Sequence, residues 1–268
     1  MRDLYLTHFG LREPPFSKEI PDGDLWLPSS KQAVVDELVD AVEERTSVVL
    51  VGDPGVGKTC VLRAFRKRLP ESAFRLTYCH NVTLGRRDFY RQLCGALGLS
   101  PSVTAAGVFH AVATHVRELG QDRIHPVFLL DEAHLLSYEQ LETIRMLTNQ
   151  SMDQDSPLAC LLVGQPTLRR TMKLAVLAAL EQRTALRYTM PGMTAAETSS
   201  YVAHHLKLAG RADQLFTEDA LNLIHTTARG YPRAVNNLAL QSLVAAFASG
   251  KNLVDEPAAR SAVTEVID

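Results

Sequence analysis

Short apolar runs alternate with longer mixed segments along most of the chain. Five runs have the length and composition of buried strands, at 47–52, 74–79, 126–131, 158–164 and 185–190. Segments of helix length separate them, including 59–69, 86–97 and 138–150. Short apolar strands that alternate with helices predict an α/β domain, with a five-stranded parallel sheet covered by helices on both faces.

The pattern changes on both sides of this region. Near the N-terminus, the prolines of REPPFS exclude helix, and the amphipathic stretch 29–46 predicts a helix capped by Ser29 or Ser30. After residue 191 the strand pattern stops. Helices are expected around 194–209, 217–228 and 232–249. We therefore expect three segments, with the bounds 1–46, 47–191 and 192–268.

The composition is that of a soluble globular protein. The 268 residues are 46% hydrophobic and carry a formal net charge of −2. Because the net charge is small, a strongly charged partner would have to bind a local patch of opposite charge. The four cysteines form no C-x-x-C pair, which is typical of a reducing compartment. The N-terminus lacks the apolar core of a signal peptide, and no run reaches about 18 apolar residues. We expect a cytoplasmic protein with no membrane partner.

The stretch GDPGVGKT at 52–59 matches the G-x-x-x-x-G-K-[ST] pattern of a phosphate-binding loop. It follows an apolar run and opens a helix-length segment, which is the context that this motif requires. Glycines let backbone N–H groups curl around phosphate oxygens, Lys58 reaches the outer phosphates, and Thr59 ligates magnesium. The expected nucleotide-binding residues are Gly52, Asp53, Pro54, Gly55, Val56, Gly57, Lys58, Thr59 and Cys60.

A pair of carboxylates follows the apolar part of the run 126–131. In PVFLLDEAH, Asp131 and Glu132 fall at the C-terminal end of a buried strand, the edge where ligands bind in a parallel sheet. Asp131 would hold Mg²⁺ through water, and Glu132 would activate the attacking water as the general base. A solvated helix cap is the alternative interpretation of this pair. Together with the phosphate loop, the pair predicts a nucleoside triphosphate hydrolase.

The order of the phosphate loop, the carboxylate pair, a polar residue after the fourth strand and an all-helical tail resembles that of AAA+ ATPases. The stretches FGLREPPFS, LLVGQPTLR, LEQRTALRY and GYPRAVNNLA resemble the ExeA/GspA-like group, which includes transposition helper ATPases related to TnsC and TniB. The resemblance implies an AAA+ P-loop fold with a helical lid domain at 192–268 and an N-terminal segment, 1–46, that packs on the nucleotide site. It also implies ATP as the nucleotide and Mg²⁺ as its cation.

The same resemblance implies roles for further polar residues. Gln165, at the end of LLVGQ, corresponds to sensor 1, which orients the attacking water, although a plain strand-end amide is the alternative. Arg183 in EQRTALR corresponds to the arginine finger that reaches the γ-phosphate of a neighbouring subunit, and Arg187 competes for this role. Arg233 in GYPR corresponds to sensor 2 of the lid, with a surface arginine as the alternative. A finger that acts on a neighbour implies a homo-oligomer.

Four residues have weaker assignments. Asn81 or His80 corresponds to the residue that restrains the catalytic glutamate until a ligand arrives, or simply caps the next helix. Phe16 and Trp26 lie in the PPFS and LWLP segments, which pack near the adenine in the family, but both residues are equally compatible with an ordinary core.

A basic segment between Arg63 and Arg91 suggests a nucleic-acid partner. It contains eight basic residues against two acidic ones, and a solvated helix face is the alternative. Because the part that follows strand two faces the central pore in related rings and filaments, we expect Arg86 and Arg87 to contact DNA. Thr104 is a further candidate, since a helix N-terminus can bind a phosphate. Such contacts would bind the backbone of double-stranded DNA with little sequence preference.

These motifs lead to a functional hypothesis with several alternatives. We expect an ATP-dependent regulator of DNA transposition that assembles on duplex DNA as a ring or filament. It would recruit or activate a transposase, and a further transposition protein, with ATP hydrolysis resetting the assembly.

The main alternative is a secretion-associated ATPase of the ExeA/GspA type for cell-envelope assembly. Family members in that role continue into a membrane span and a peptidoglycan-binding domain, whereas this sequence stops at Asp268. A helicase is disfavoured because the chain is too short for two lobes. A switch that hardly hydrolyses ATP is disfavoured by Glu132.

Overall fold

The computed structural model describes residues 2–17, 19–79, 86–100, 104–148, 157–174, 177–182 and 184–267. It divides into two compact units. The first consists of Met1–Gln32, Pro54–Cys60 and Pro191–Asp268, and the second consists of Ala33–Asp53 and Val61–Met190. Most of the phosphate loop is therefore grouped with the N-terminal residues and the C-terminal helices.

The second unit contains a sheet of five parallel strands, namely β1 (Ser47–Val51), β2 (Phe74–Cys79), β3 (His125–Leu130), β4 (Ala159–Gly164) and β5 (Thr184–Thr189). Their order across the sheet is β2-β3-β4-β1-β5. Every residue of β1 and β4 is buried, which explains why these strands are continuous apolar runs rather than alternating ones. The predicted α/β fold class and its five parallel strands are confirmed.

The strand order brings three motif residues to one edge of this sheet. Because all strands run in the same direction, their carboxyl ends share an edge. Gly52 follows β1, Asp131 follows β3 and Gln165 follows β4 at this edge. Since β4 lies between β1 and β3, the start of the phosphate loop and the carboxylate pair flank the end of one central strand.

Helices of the second unit cover the sheet with apolar side chains. They include α4 (Arg86–Ala96), α5 (Ala105–Gln121), α6 (Tyr138–Thr148), α7 (Thr167–Met172) and α8 (Ala178–Gln182), and a 3-10 turn lies at Ala133–Leu135. Phe89 of α4, Val112 of α5 and Ile144 of α6 belong to one buried cluster with Phe128 of β3. Two further helices, α2 (Ser29–Glu43) and α3 (Lys58–Arg68), begin in the first unit and continue in the second.

The first unit is helical. It contains α1 (Arg2–Phe9), α9 (Ala195–Leu208), α10 (Glu218–Ala228), α11 (Pro232–Ala248) and α12 (Glu256–Ile267). The sequence pattern predicts α9, α10 and α11 to within one residue at each end, whereas α1 and α12 were not expected. Phe9, Phe216, Val235 and Leu243 form part of its buried core. Among the described residues, no helix combines the length and hydrophobicity that crossing a bilayer requires.

A tight backbone contact sets where α9 and α11 begin. The Met193 N–H donates to the carbonyl of Gly230 (2.9 Å). Gly230 has a φ of +67°, and a Cβ there would lie only 2.1 Å from the Met193 carbonyl oxygen. Pro232 then occupies the first turn of α11, where its missing N–H costs nothing. The glycine and the proline of RGYPR thus fix the start of α11 and the position of Arg233.

Candidate nucleotide-binding site

The phosphate loop follows β1 and ends where α3 begins. The Gly52 N–H donates to the carbonyl of Gly164 in β4 (3.1 Å), which attaches the start of the loop to the sheet. Gly55 and Gly57 have φ values of +82° and +100°, a region that residues with a Cβ rarely adopt. The conformation of the loop therefore depends on glycine at both positions.

Neighbouring groups approach the same two glycines from outside the loop. A Cβ on Gly55 would lie 3.0 Å from the Cβ of Arg233, and one on Gly57 would lie 3.1 Å from Nζ of Lys31. The Arg233 N–H donates to the Gly55 carbonyl (3.4 Å), and the Lys31 ammonium donates to the Val56 carbonyl. Two successive carbonyls of the loop are therefore held by donors that lie outside it. The sequence identified Arg233 but missed Lys31.

Lys58 and Thr59 open α3 at the end of the loop. Lys58 is buried and Thr59 is exposed, while Cys60 is half-buried. The first turn of a helix presents backbone N–H groups that have no intrahelical partner, together with the positive end of the helix dipole. A phosphate group here would meet backbone donors, a lysine and a hydroxyl oxygen, and hydroxyl and phosphate oxygens are the ligands that Mg²⁺ prefers.

An apolar pocket adjoins Gly57 and Cys60 within the same unit. Trp26 and Tyr201 line it, with ring centroids 5.7 Å apart. Its free volume is about 40 Å³, which is much smaller than a purine base, so the pocket does not accommodate a base without movement of its walls. Trp26 lines this pocket and packs against the core of the helical unit, whereas Phe16 is buried in that core and lines a larger cavity of the same unit. A contact between Trp26 and the base stays a prediction.

The carboxylate pair lies at the end of β3 in the second unit. Asp131 is 8% exposed, and its Oδ1 accepts the N–H of Glu132 (2.9 Å) while its Oδ2 accepts the hydroxyl of Tyr78 (3.2 Å). Glu132 has a left-handed backbone (φ 54°), an uncommon conformation for a residue with a side chain. Its side chain is 46% exposed. The backbone turn thus separates a buried, oriented carboxylate from an accessible one.

Tyr78 keeps the buried carboxylate oriented. Its partial burial, together with the charges of Asp131 and Glu132, raises the pKa of Tyr78 to about 12. The hydroxyl therefore stays protonated and donates to Asp131 at neutral pH. Within the described part of the chain, each Asp131 oxygen accepts one hydrogen bond, and a carboxylate oxygen can bind a cation or its water with its other lone pair. The donor set therefore fits Mg²⁺, which is bound through carboxylates, water and substrate phosphates.

His134 lies between the carboxylate pair and the end of β4. Its Nδ1 accepts the N–H of Gln165 (3.3 Å) and lies 3.4 Å from Oε2 of Glu132. A Cβ on Gly164 would lie 3.0 Å from the His134 backbone nitrogen, so glycine allows this close approach. The backbone of Gln165, the sensor 1 candidate, and the carboxylate of Glu132, the general base candidate, thus lie close to the same imidazole. Sequence analysis missed both His134 and Tyr78, because their contacts depend on which strands are neighbours.

Of the two arginine finger candidates, the structure describes Arg187 but not Arg183. Arg183, His80 and Asn81 fall outside the described residues, so their roles stay predictions. Arg187, the competing finger, donates from Nη2 to the Glu181 carbonyl (2.7 Å) and lies 3.4 Å from its carboxylate.

The candidate DNA contacts lie at the starts of two helices. Arg86 and Arg87 begin α4, but their side chains are outside the described part of the chain. Thr104 caps α5 by accepting the N–H of Gly107 (3.1 Å), so its hydroxyl already has a structural role. Contacts of these three residues with DNA stay predictions.

Comparison with known proteins supports the fold. Residues 40–172 match the family model of AAA domains. The chain is similar to general secretion pathway protein A of Aeromonas hydrophila, with 31% identity over 255 residues that cover 94% of this chain and 46% of that protein. The chain therefore spans about half the length of this curated relative.

Solved structures share the same architecture. One is Drosophila ORC bound to DNA, with a TM-score of 0.70 at 17% identity, covering 99% of this chain and 66% of that one. Another is Cdc6p from Pyrobaculum aerophilum, with a TM-score of 0.67 at 16% identity, covering 92% and 71% of the two chains. At such low identity the likeness concerns the fold alone. The chain has the AAA+ P-loop fold.

The hydroxyl of Tyr78 provides a test of the cation site. We predict that Tyr78→Phe raises the Mg²⁺ concentration for half-maximal nucleotide hydrolysis by about 10-fold, because groups that orient metal ligands have effects of this size. The control is Tyr138→Phe, which removes an exposed hydroxyl from α6 in the same unit. A magnesium titration of the hydrolysis rate measures both. An unchanged magnesium requirement in Tyr78→Phe would contradict the role of its hydroxyl.

Proposed function

We propose that this chain, which has the AAA+ P-loop fold, binds ATP together with Mg²⁺ and hydrolyses it to ADP and phosphate. One observation carries the proposal. In one parallel sheet, β1 leads into the phosphate loop, whose glycines Gly55 and Gly57 have positive φ, and β3 ends at the carboxylate pair. Only β4 lies between these two strands. Ligands of parallel α/β sheets bind at this edge.

Each residue of the site has a chemical task in this proposal. The loop amides and Lys58 bind the phosphates, while Thr59 and Asp131 would hold Mg²⁺ directly or through water. When bound, the ion neutralises charge on the phosphate oxygens. Glu132 accepts a proton from the attacking water, and the amide of Gln165 orients that water. The left-handed backbone and exposed carboxylate of Glu132 support its assignment as the base.

Assembly completes the proposed active site. Arg183 acts as a finger on the γ-phosphate of a neighbouring subunit, where a positive charge stabilises the transition state. The contacts of Arg187 with Glu181 favour Arg183 over Arg187 in this role. Arg233 acts within its own subunit as part of a helical lid, supported by its position beside Gly55. The protein is accordingly proposed to work as a homo-oligomer, either a ring or a filament.

The cellular process has two candidates. The first is regulation of DNA transposition in the cytoplasm, in which the protein assembles on duplex DNA and recruits a transposase, with or without a further transposition protein. Its support is the set of sequence motifs and the basic segment between Arg63 and Arg91. The second is a secretion-associated role, favoured by the 31% identity to general secretion pathway protein A over 94% of this chain.

The catalytic assignment is tested with Glu132→Gln. We predict that this variant binds Mg²⁺ and ATP normally but loses at least about 100-fold in turnover, because the amide cannot accept a proton from water. Glu139→Gln makes the same change at an exposed position of α6 and should keep full activity. Lys58→Ala should lose nucleotide binding itself. Binding and phosphate release are measured on all variants, and full turnover by Glu132→Gln would remove Glu132 from its role.

The DNA assignment is tested with Arg86→Ala combined with Arg87→Ala. We predict at least about 10-fold weaker binding to duplex DNA and a shallower salt dependence, since each lost phosphate contact reduces the salt slope by about one. The control combines Arg66→Ala with Lys67→Ala, which removes two exposed charges from α3.

Fluorescence anisotropy across a salt series compares the two double variants. Equal losses in both would contradict a specific DNA surface at the start of α4. A parent protein that does not bind duplex DNA with ATP would contradict the transposition role and leave the secretion-associated candidate.

A further inference from the structure

Lys31 is a buried lysine that contacts the phosphate loop. It is 2% exposed at the start of α2, and its ammonium donates to the Val56 carbonyl. Its Nζ would lie 3.1 Å from a Cβ on Gly57, so it faces two successive residues of the loop. Burying an ammonium is unfavourable unless it gains partners, and lysine is rarely buried to this extent. The position therefore calls for a functional explanation.

The residue beside Lys31 is held by the carboxylate that caps α9. The Ser30 hydroxyl donates to Oε1 of Glu197 (2.7 Å). Oε2 of the same carboxylate accepts the N–H of Thr194 (2.9 Å) and completes a capping box. Glu197 thus stabilises the start of α9 and also fixes the start of α2, from which Lys31 reaches the loop.

Titratable and charged groups lie near Lys31 on several elements, and the phosphate loop also adjoins Arg233 of α11 and ends at Lys58 of α3. Burial lowers the pKa of Lys31 to about 8, while the nearby Cys60 of α3 and Glu197 of α9 act in the opposite direction. Partial burial alone would raise the pKa of Glu197, but hydrogen bonds from Thr194 and Ser30 bring it below the ordinary value. His205 lines the same pocket, and burial lowers its pKa to about 4, so it is neutral near pH 7. Burial thus brings the titration of Lys31 to just above neutral pH.

Peptide geometry explains what the contact with Val56 does. The carbonyl of Val56 and the N–H of Gly57 belong to one planar trans peptide and point in opposite directions. A donor that holds the carbonyl on one side therefore directs the Gly57 N–H to the other side. Gly57, with a φ of +100°, also lacks the Cβ that would restrict rotation about this peptide.

We propose that Lys31 is a positioning residue that locks the Val56–Gly57 peptide in the orientation that binds a nucleotide phosphate. The inference rests on the proposed binding of ATP and assigns a residue outside the loop to that site. Its positive charge also lies close behind the loop and adds to the attraction of the phosphates. Because Ser30 and Glu197 fix the same helix start, the orientation of the peptide is linked to α9 within the first unit.

The test measures binding of Mg²⁺ and ADP by isothermal titration calorimetry. Lys31→Met, which keeps length but removes the charge and donor, should weaken binding by about 10- to 100-fold, the range for hydrogen bonds to charged groups. Lys251→Met removes a half-buried ammonium from its pair with Asp255 in the same unit and should leave affinity unchanged. Circular dichroism confirms that each variant is folded.

The pH dependence separates positioning by charge from a purely structural role. A bound anion raises the pKa of Lys31. At a pH below about 8, Lys31 is already charged in the free protein, so its titration does not change the affinity. At a higher pH, the free protein must take up a proton on Lys31 in order to bind. Affinity of the parent should then fall with rising pH, by up to about 10-fold per unit, toward that of Lys31→Met. The profile of Lys31→Met should lack this fall, although Cys60, Glu197 and His205 are present in both proteins.

The outcomes are distinguishable. Parent affinity in folded Lys31→Met, or parallel pH profiles for the two proteins, would overturn the proposal. If Lys31→Met does not fold, Lys31→Arg replaces it. Its guanidinium remains charged, so its affinity should not fall between pH 8 and pH 9.5, and a fall equal to that of the parent would overturn the proposal. Absence of binding by the parent itself would instead contradict the proposed ATP-binding function.

Discussion

The structure depends on how the backbone of the phosphate loop is held. A loop that binds an anion must present N–H groups, so its carbonyls have to face elsewhere and find other donors. In this chain the Gly55 carbonyl accepts the N–H of Arg233, and the Val56 carbonyl accepts the ammonium of Lys31. Positive φ at Gly55 and Gly57 makes this path possible. The N-terminal residues and the C-terminal helices therefore contribute to the conformation of the loop, which explains why they form one compact unit with it.

The proximity of the carboxylate pair and the sensor candidate depends on the order of the strands. With β4 between β1 and β3, the ends of three strands carry the loop start, the sensor candidate and the carboxylate pair. Tyr78 from β2 orients Asp131, and His134 contacts both Glu132 and the backbone of Gln165. Hydrogen bonds thus orient Asp131 and hold the backbone that follows β4. Burial of their strands keeps the surrounding structure rigid enough to maintain these distances.

Local sequence signals predicted the strands, most of the helices and the motifs, but not the contacts between residues that are distant in the sequence. The pattern of apolar residues located all five strands to within one residue at each end. In β1 and β4 the run is continuously apolar because every residue is buried, whereas exposed positions interrupt β2. The spacing of glycine, lysine and threonine located the phosphate loop. Tyr78, His134 and Lys31 escaped because their partners are set by strand order and by contacts between distant segments. A buried lysine in an amphipathic helix looks like an ordinary surface residue in the sequence. The helices α1 and α12 were missed although local signals mark them, since Gly10 with a φ of +65° follows α1 and Asp255 caps α12 by accepting the N–H of Ala258 (3.1 Å).

These features give one account in which a single loop conformation, supported from outside, creates the nucleotide site. The most direct test is a calorimetric titration of the purified parent chain with ATP and Mg²⁺. The account predicts saturable binding with one site per chain and a dissociation constant in the range of about 1 μM to 1 mM that is usual for enzyme substrates. No detectable binding of ATP at several times the upper end of that range, by a folded chain, would contradict it.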